Sequence, residues 1–204
     1  MTSNLEVATN FINQTGKKHN ALSCSYSGHN FYSYATVVAT LDRTNKILLV
    51  SYNGMSPTTA GKHLTAITSA VIEANNNGAN IKQIGVPYHS SDGAYINCYE
   101  LYKRFLNDID WLSKNVNKQE YRAELLYRLQ NFKDFTEYLL KTKDRELDWK
   151  YEADIDADDI KMIKKDLRRI KKLEADILNP DYIKEVKRQK RAEYKKQRKE
   201  LKIA

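Results

Sequence analysis

Only two cysteines, Cys24 and Cys98, occur in the 204 residues. Two thiols in a chain of this length make no disulfide framework, and free thiols fit a reducing cytoplasm, bacterial or viral-host. No run approaches the roughly 18 apolar residues that a membrane helix needs. The opening residues, MTSNLEVATNFINQ, lack the basic start and apolar block of a secretory signal. These absences predict a cytoplasmic protein with no membrane partner. Histidine is also scarce: His19, His29, His63 and His89 are the four. None pairs with a cysteine at zinc-finger spacing; Cys24 and His29 come nearest, so no metal or other cofactor is expected. His89-Ser90-Ser91-Asp92 contains the atoms of a hydrolase site, but sequence neighbours rarely assemble one and no nucleophile elbow is present. Ser91 or Asp92 as a helix cap accounts for that segment better. The acidic run of Glu152, Asp154, Asp156, Asp158 and Asp159 lacks the glycine and distal glutamate of a calcium loop. Its last acids suit the N-terminus of a following helix.

What the chain has in quantity is charge, and the charge is uneven. Lys and Arg number 34 against 26 Asp and Glu, for a net +8. Residues 1–90 carry about +3, residues 91–140 carry −1 and residues 141–160 carry −4, while residues 161–204 alone carry +10. A basic end on a nearly neutral body is the footprint of a partner with many negative charges. Nucleic acid is the commonest such partner.

Hydrophobic spacing divides the chain into an N-terminal α+β part and a helical C-terminal part. Leu5, Ala8, Phe11 and Ile12 predict a first helix, stopped at Gly16. Three strands are expected at 21–26, 31–41 and 46–52, the last two joined by the polar loop Asp42-Arg43-Thr44-Asn45. Ser56-Pro57 marks the start of a helix over 57–75 with Ala60, Leu64, Ile67, Val71 and Ala74 on one face. A short strand follows at 81–86. Beyond Asp92, Tyr95, Tyr99, Tyr102, Leu106, Ile109 and Leu112 recur at helical spacing. So do Tyr121, Leu125, Leu129, Phe132, Phe135 and Leu139, and then Ile160, Ile163, Leu167, Ile170 and Ile177. Asn179-Pro180 breaks the third of these helices. A last helix keeps Tyr182, Ile183 and Val186 and then becomes almost wholly charged. The expectation is an αβββα(β) domain over 1–90, a helical hairpin over 91–150, and an acidic linker with basic helices over 151–204. No internal repeat is present.

The order of elements in residues 2–76 resembles a double-stranded-RNA-binding domain. Gly28-His29 falls in the loop between the first two strands, where that family places a groove-entering histidine. Gly54, Ser56, Lys62 and His63 fall at the start of the last helix, where the family places basic residues over phosphates. Small Ala66 and Ala70 suit its packing. The family's lysine cluster is replaced by Thr58-Thr59-Ala60-Gly61, leaving Lys62 alone. The phrases FYSYATVVATL and SPTTAGKH also resemble small accessory proteins of phages and plasmids. That likeness implies a role in countering host defence, of the anti-CRISPR kind.

The C-terminus gives the strongest signal. Lys164, Lys165, Arg168, Arg169, Lys171 and Lys172 lie on one helix, and Lys187, Arg188, Lys190, Arg191, Lys195, Lys196, Arg198 and Lys199 on the next. Such residues neutralise phosphates and release counterions, giving affinity that does not depend on sequence. Lys17, Lys18, His29 and Lys62, with His63 beside them, form a candidate second patch. His63 has a second reading as a hydrogen-bonded histidine at the edge of the core. Tyr32 and Tyr34 alternate in one strand and are expected on one face, where bases could stack. The expected function is a non-enzymatic accessory protein that binds nucleic acid, RNA slightly before DNA, or a nucleic-acid-guided nuclease complex. Two other readings stay open: a metal-independent nuclease using His29 and His63, and an assembly protein with a helical arm.

Overall fold

The structure, a computed structural model, describes residues 3–15, 21, 23–52, 56–87, 98–116, 118–142 and 156–200. It is mixed α and β: a sheet region comes first and helices follow. No helix among the described residues is long and apolar enough to cross a membrane. The chain divides into two compact units, Met1–Arg104 with Glu137–Asp154, and Phe105–Thr136 with Ile155–Ala204.

The first unit opens with α1 (Asn4–Asn13). Ser3 caps it, its hydroxyl accepting from the Glu6 amide at 3.1 Å, and Val7, Ala8, Phe11 and Ile12 turn inward. Five strands follow: β1 (Cys24–Ser27), β2 (Asn30–Ser33), β3 (Thr36–Asp42), β4 (Ile47–Ser51) and β5 (Lys82–Val86). They lie in sequence order, antiparallel from β1 to β4, with β5 parallel to β4. A parallel neighbour needs a crossover. Here α2 (Thr65–Asn76), preceded by a π-helical turn over Thr59–Leu64, supplies it. Phe11, Tyr26, Phe31, Val38, Leu48, Ile67 and Ala70 form the core between these helices and the sheet. Burial of such side chains is the main stabilising term. On β3, Val37 is buried as well as Val38, and the buried Tyr138 hydroxyl donates to Asp42 Oδ2 at 2.8 Å.

The strand expected over 31–41 differs. It folds back on itself as β2 and β3, so four strands rather than three separate the first two helices. Tyr34 explains the break. It takes the left-handed conformation (φ 56°), which a strand residue does not adopt. The β-branched and aromatic run hides the turn because Tyr34-Ala35 carries no glycine, proline or asparagine signal.

In the second unit, Phe105 of α3 (Cys98–Ser113) meets Phe132 and Phe135 of α4 (Gln119–Thr142), with ring centroids 5.9 and 5.3 Å apart. Tyr102, Ile109 and Leu112 are buried as expected, but Phe105 is fully buried where Leu106, the expected member of the stripe, is only half-buried. α5 (Ala157–Leu178) buries Ile163, Ile170 and Ile177. Lys133 donates to both carboxylate oxygens of Glu174 at 2.7 and 2.9 Å, and Arg169 Nη1 to Asp110 Oδ1 at 2.9 Å. α6 (Pro180–Glu200) begins at the proline, where a missing N–H is harmless.

Candidate nucleic-acid interface

α5 and α6 carry the basic residues by different means. Asp156 starts α5 with a capping box. Its Oδ1 accepts from the Asp158 and Asp159 amides at 2.8 Å each, and Asp159 reaches back to the Asp156 amide. The end of the acidic run is therefore a helix start. Along α5, Ile163, Ile170 and Ile177 fall on one side. At about 100° per residue, Lys164, Lys165, Arg168, Lys171 and Lys172 fall toward the other, and all are exposed. Arg169 faces Asp110 and, at 3.5 Å, Asp166.

Among the described residues, α6 turns apolar side chains inward only near its start. Ile183 is buried and Tyr182 and Val186 are half-buried. From Lys187 to Arg198 every side chain is exposed except Lys190, which is half-buried. Arg188 donates to Glu185 at 3.0 Å, and that bond holds the Glu185 carboxyl below its ordinary range. Lys184 pairs with Asp181 at 2.9 Å. Among the described residues no acid pairs with Lys187, Lys190, Arg191, Lys195 or Lys196. The side chain of Lys199 lies outside the described residues. Shallow surface depressions run along α6, lined by Lys187, Lys190, Arg191, Tyr194 and Lys195. With no apolar face beyond Val186, this part of the helix gains nothing by packing on its own protein.

Of the candidate second patch, His29, Lys62 and His63 are among the described residues. Lys17 and Lys18 lie outside the described residues, as do His19, His89 and the segment Ser90–Asp92. Lys62 is exposed. His29 sits in the turn between β1 and β2, and its Nδ1 donates to the Leu41 carbonyl at 3.0 Å. His63, by contrast, is fully buried. The π-helical turn causes this. One extra residue per turn rotates Thr59 and His63 inward, in place of Ala60, which is exposed, and Leu64, which is half-buried. Nε2 of His63 lies 2.9 Å from Ser23 Oγ and Nδ1 lies 2.7 Å from Ser33 Oγ. Ser33 Oγ is 2.8 Å from Thr59 Oγ1, which is 3.0 Å from Ser56 Oγ. Ser56 also accepts from the Thr59 amide at 3.2 Å, as its expected capping role requires. Burial, with Lys62 next to it, lowers the His63 pKa and keeps the ring neutral. Both ring nitrogens are occupied inside the fold, which is the core-edge reading. Neither nitrogen faces a phosphate.

Tyr34 stands at the rim of this network. Its ring meets the His63 imidazole edge-on, centroids 5.8 Å apart, and the side chain is 60% exposed. The turn removes it from the face of Tyr32. The two phrases around Ser33-Tyr34 and Ser56–His63 are thus brought together by one histidine, although 30 residues separate Ser33 from His63.

Cys24 is buried, and burial pushes its thiol up to about 11, so it is inert at neutral pH. Among the described residues no three His, Cys, Asp or Glu side chains gather as metal ligands would. No protein-family model, curated protein or solved structure matches the chain.

Proposed function

We propose that the chain is a nucleic-acid-binding protein whose contact surface is the C-terminal half of α6, with the outer face of α5 as a second contributor. The observation that carries this reading is the run from Lys187 to Arg198. It holds seven Lys and Arg against Glu193 alone, its side chains are exposed apart from the half-buried Lys190, and it has no apolar face. Charges concentrated on a helix with nothing to bury are suited to phosphates, where each neutralised phosphate releases counterions. Either RNA or DNA offers such a phosphate backbone. The accessory role implied by the likeness to phage and plasmid proteins uses the same surface, competing for the nucleic acid of a guided nuclease. The binding role requires no catalytic group.

The test is direct. Labelled RNA and DNA oligonucleotides are titrated with the full chain and with a version ending at Val186. The full chain is expected to bind in the micromolar range or tighter at about 50 mM salt, as sequence-independent contacts do. The shortened chain is expected to lose at least ten-fold. Equal affinity of the two versions would remove α6 from the interface. No binding by either would remove nucleic acid.

A further inference from the structure

Resting on the nucleic-acid reading above, we infer that α6 takes its ligand as a single strand, with a base stacked on Tyr194. Tyr194 is the one aromatic side chain in the exposed part of α6, and it is 61% exposed. Every side chain from Arg191 to Arg198 is exposed, so the ring in that position has no core to pack into. At about 100° per residue, Lys187, Lys190 and Arg198 fall within roughly 40° of Tyr194 on the helix surface, and Arg191 at about 60°. The Arg198 guanidinium already lies over the ring, 5.8 Å from its centroid. The acids take the other side. Glu185, bonded to Arg188, and Glu193 both fall 100° or more from Tyr194 by the same spacing. The result is a stripe with cations before, beside and after one ring.

The stripe matches the two needs of single-strand binding: a basic track for the backbone, and an aromatic face for unstacked bases. In a duplex the base faces are stacked on one another, so a tyrosine ring has no face to meet. A duplex would use the cations of the stripe and leave the ring idle. The span from Lys187 to Arg198 is roughly 17 Å at the helical rise of about 1.5 Å per residue, enough for a few nucleotides and not for a long tract. Stacking on any base is tolerated, so the preference is for strandedness and not for sequence.

The experiment compares Tyr194→Ala and Tyr194→Phe with the unaltered full chain on a 12-nucleotide unstructured single strand and on the matching duplex at one salt concentration. Tyr194→Ala is expected to weaken single-strand binding by about five-fold or more and duplex binding by less than two-fold. Tyr194→Phe keeps the ring and is expected to bind the single strand within two-fold of the unaltered chain. The position is exposed, so neither variant threatens folding, and melting temperatures check this. Equal loss on both ligands, or no loss on either, would overturn the stacking role while leaving α6 a phosphate-binding helix. If the unaltered chain binds neither ligand, the nucleic-acid reading itself fails.

Discussion

The surroundings of His63 and the outer half of α6 treat polar groups in opposite ways. At His63 a polar ring is fully buried, and hydroxyls of Ser23 and Ser33 occupy both nitrogens. On α6 Lys187, Arg191, Lys195 and Lys196 stand in solvent, and no described acid pairs with them. A buried polar group without partners is costly, so the first arrangement holds only as a complete set. An exposed cation costs nothing to leave unpaired and is free to meet an anion from outside. One region therefore serves the fold and the other is the binding surface we propose, although both were candidates for the same role on residue type alone.

The sharpest way to break this comparison is to change each region and read both outcomes. Replacing Lys187, Lys190, Arg191 and Lys195 together by Gln is expected to lower oligonucleotide affinity by ten- to thousand-fold near physiological salt. It should leave the melting temperature within about 2 °C, since exposed charges add little to stability. The same replacement of Lys164, Lys165, Lys171 and Lys172 on α5 is expected to cost less affinity, and filter binding compares the two. His63→Ala reverses the pattern. It leaves the Ser23 and Ser33 hydroxyls facing a cavity and is expected to cost about 2–4 kcal/mol in urea denaturation, with the affinity of the folded fraction unchanged.

The pH dependence sharpens the same point. Burial lowers the folded pKa of His63 below its ordinary 6.5. The unfolded chain then binds the proton first, so the folded state loses stability as pH falls below about 6.5, toward the lowered folded value, and keeps it above. At most about 1.4 kcal/mol per pH unit comes from one group. His63→Gln is expected to flatten this part of the curve in melting experiments between pH 7 and 5. The smallest effect belongs to Tyr138→Phe, which removes a hydrogen bond to Asp42, a carboxylate that also accepts from the Asn45 amide and side chain. About 1–2 kcal/mol is expected in the same denaturation assay.

Much of the architecture was legible in the residues. Ile163, Ile170 and Ile177 recur every seven positions and turned inward as their spacing requires. Asn179-Pro180 marked the α5–α6 break, and Ser56 acted as the cap it resembles. What was not legible depends on departures from regular geometry. The turn at Tyr34 needs a left-handed residue that no glycine announces. The π-helical turn over Thr59–Leu64 shifts the inward face by one residue, so the even 3.6-residue pattern predicted Ala60 inside when Thr59 takes that place. The partners of His63 could not be read at all, since Ser23 and Ser33 lie 40 and 30 residues away and come near only through the sheet. For α6 the reverse holds: its charge was plain in the sequence, and the structure adds which cations share a side with Tyr194.

The central claim, that the outer half of α6 binds phosphates, is tested most directly by the salt dependence of affinity for an unstructured single strand. If the four cations of the Tyr194 face meet about four phosphates, log K falls against log salt with a slope of about −2.8. The version ending at Val186, left with the α5 face alone, is then expected to show a markedly shallower slope. A flat response from the full chain, or the same steep slope after α6 is cut, would contradict the account.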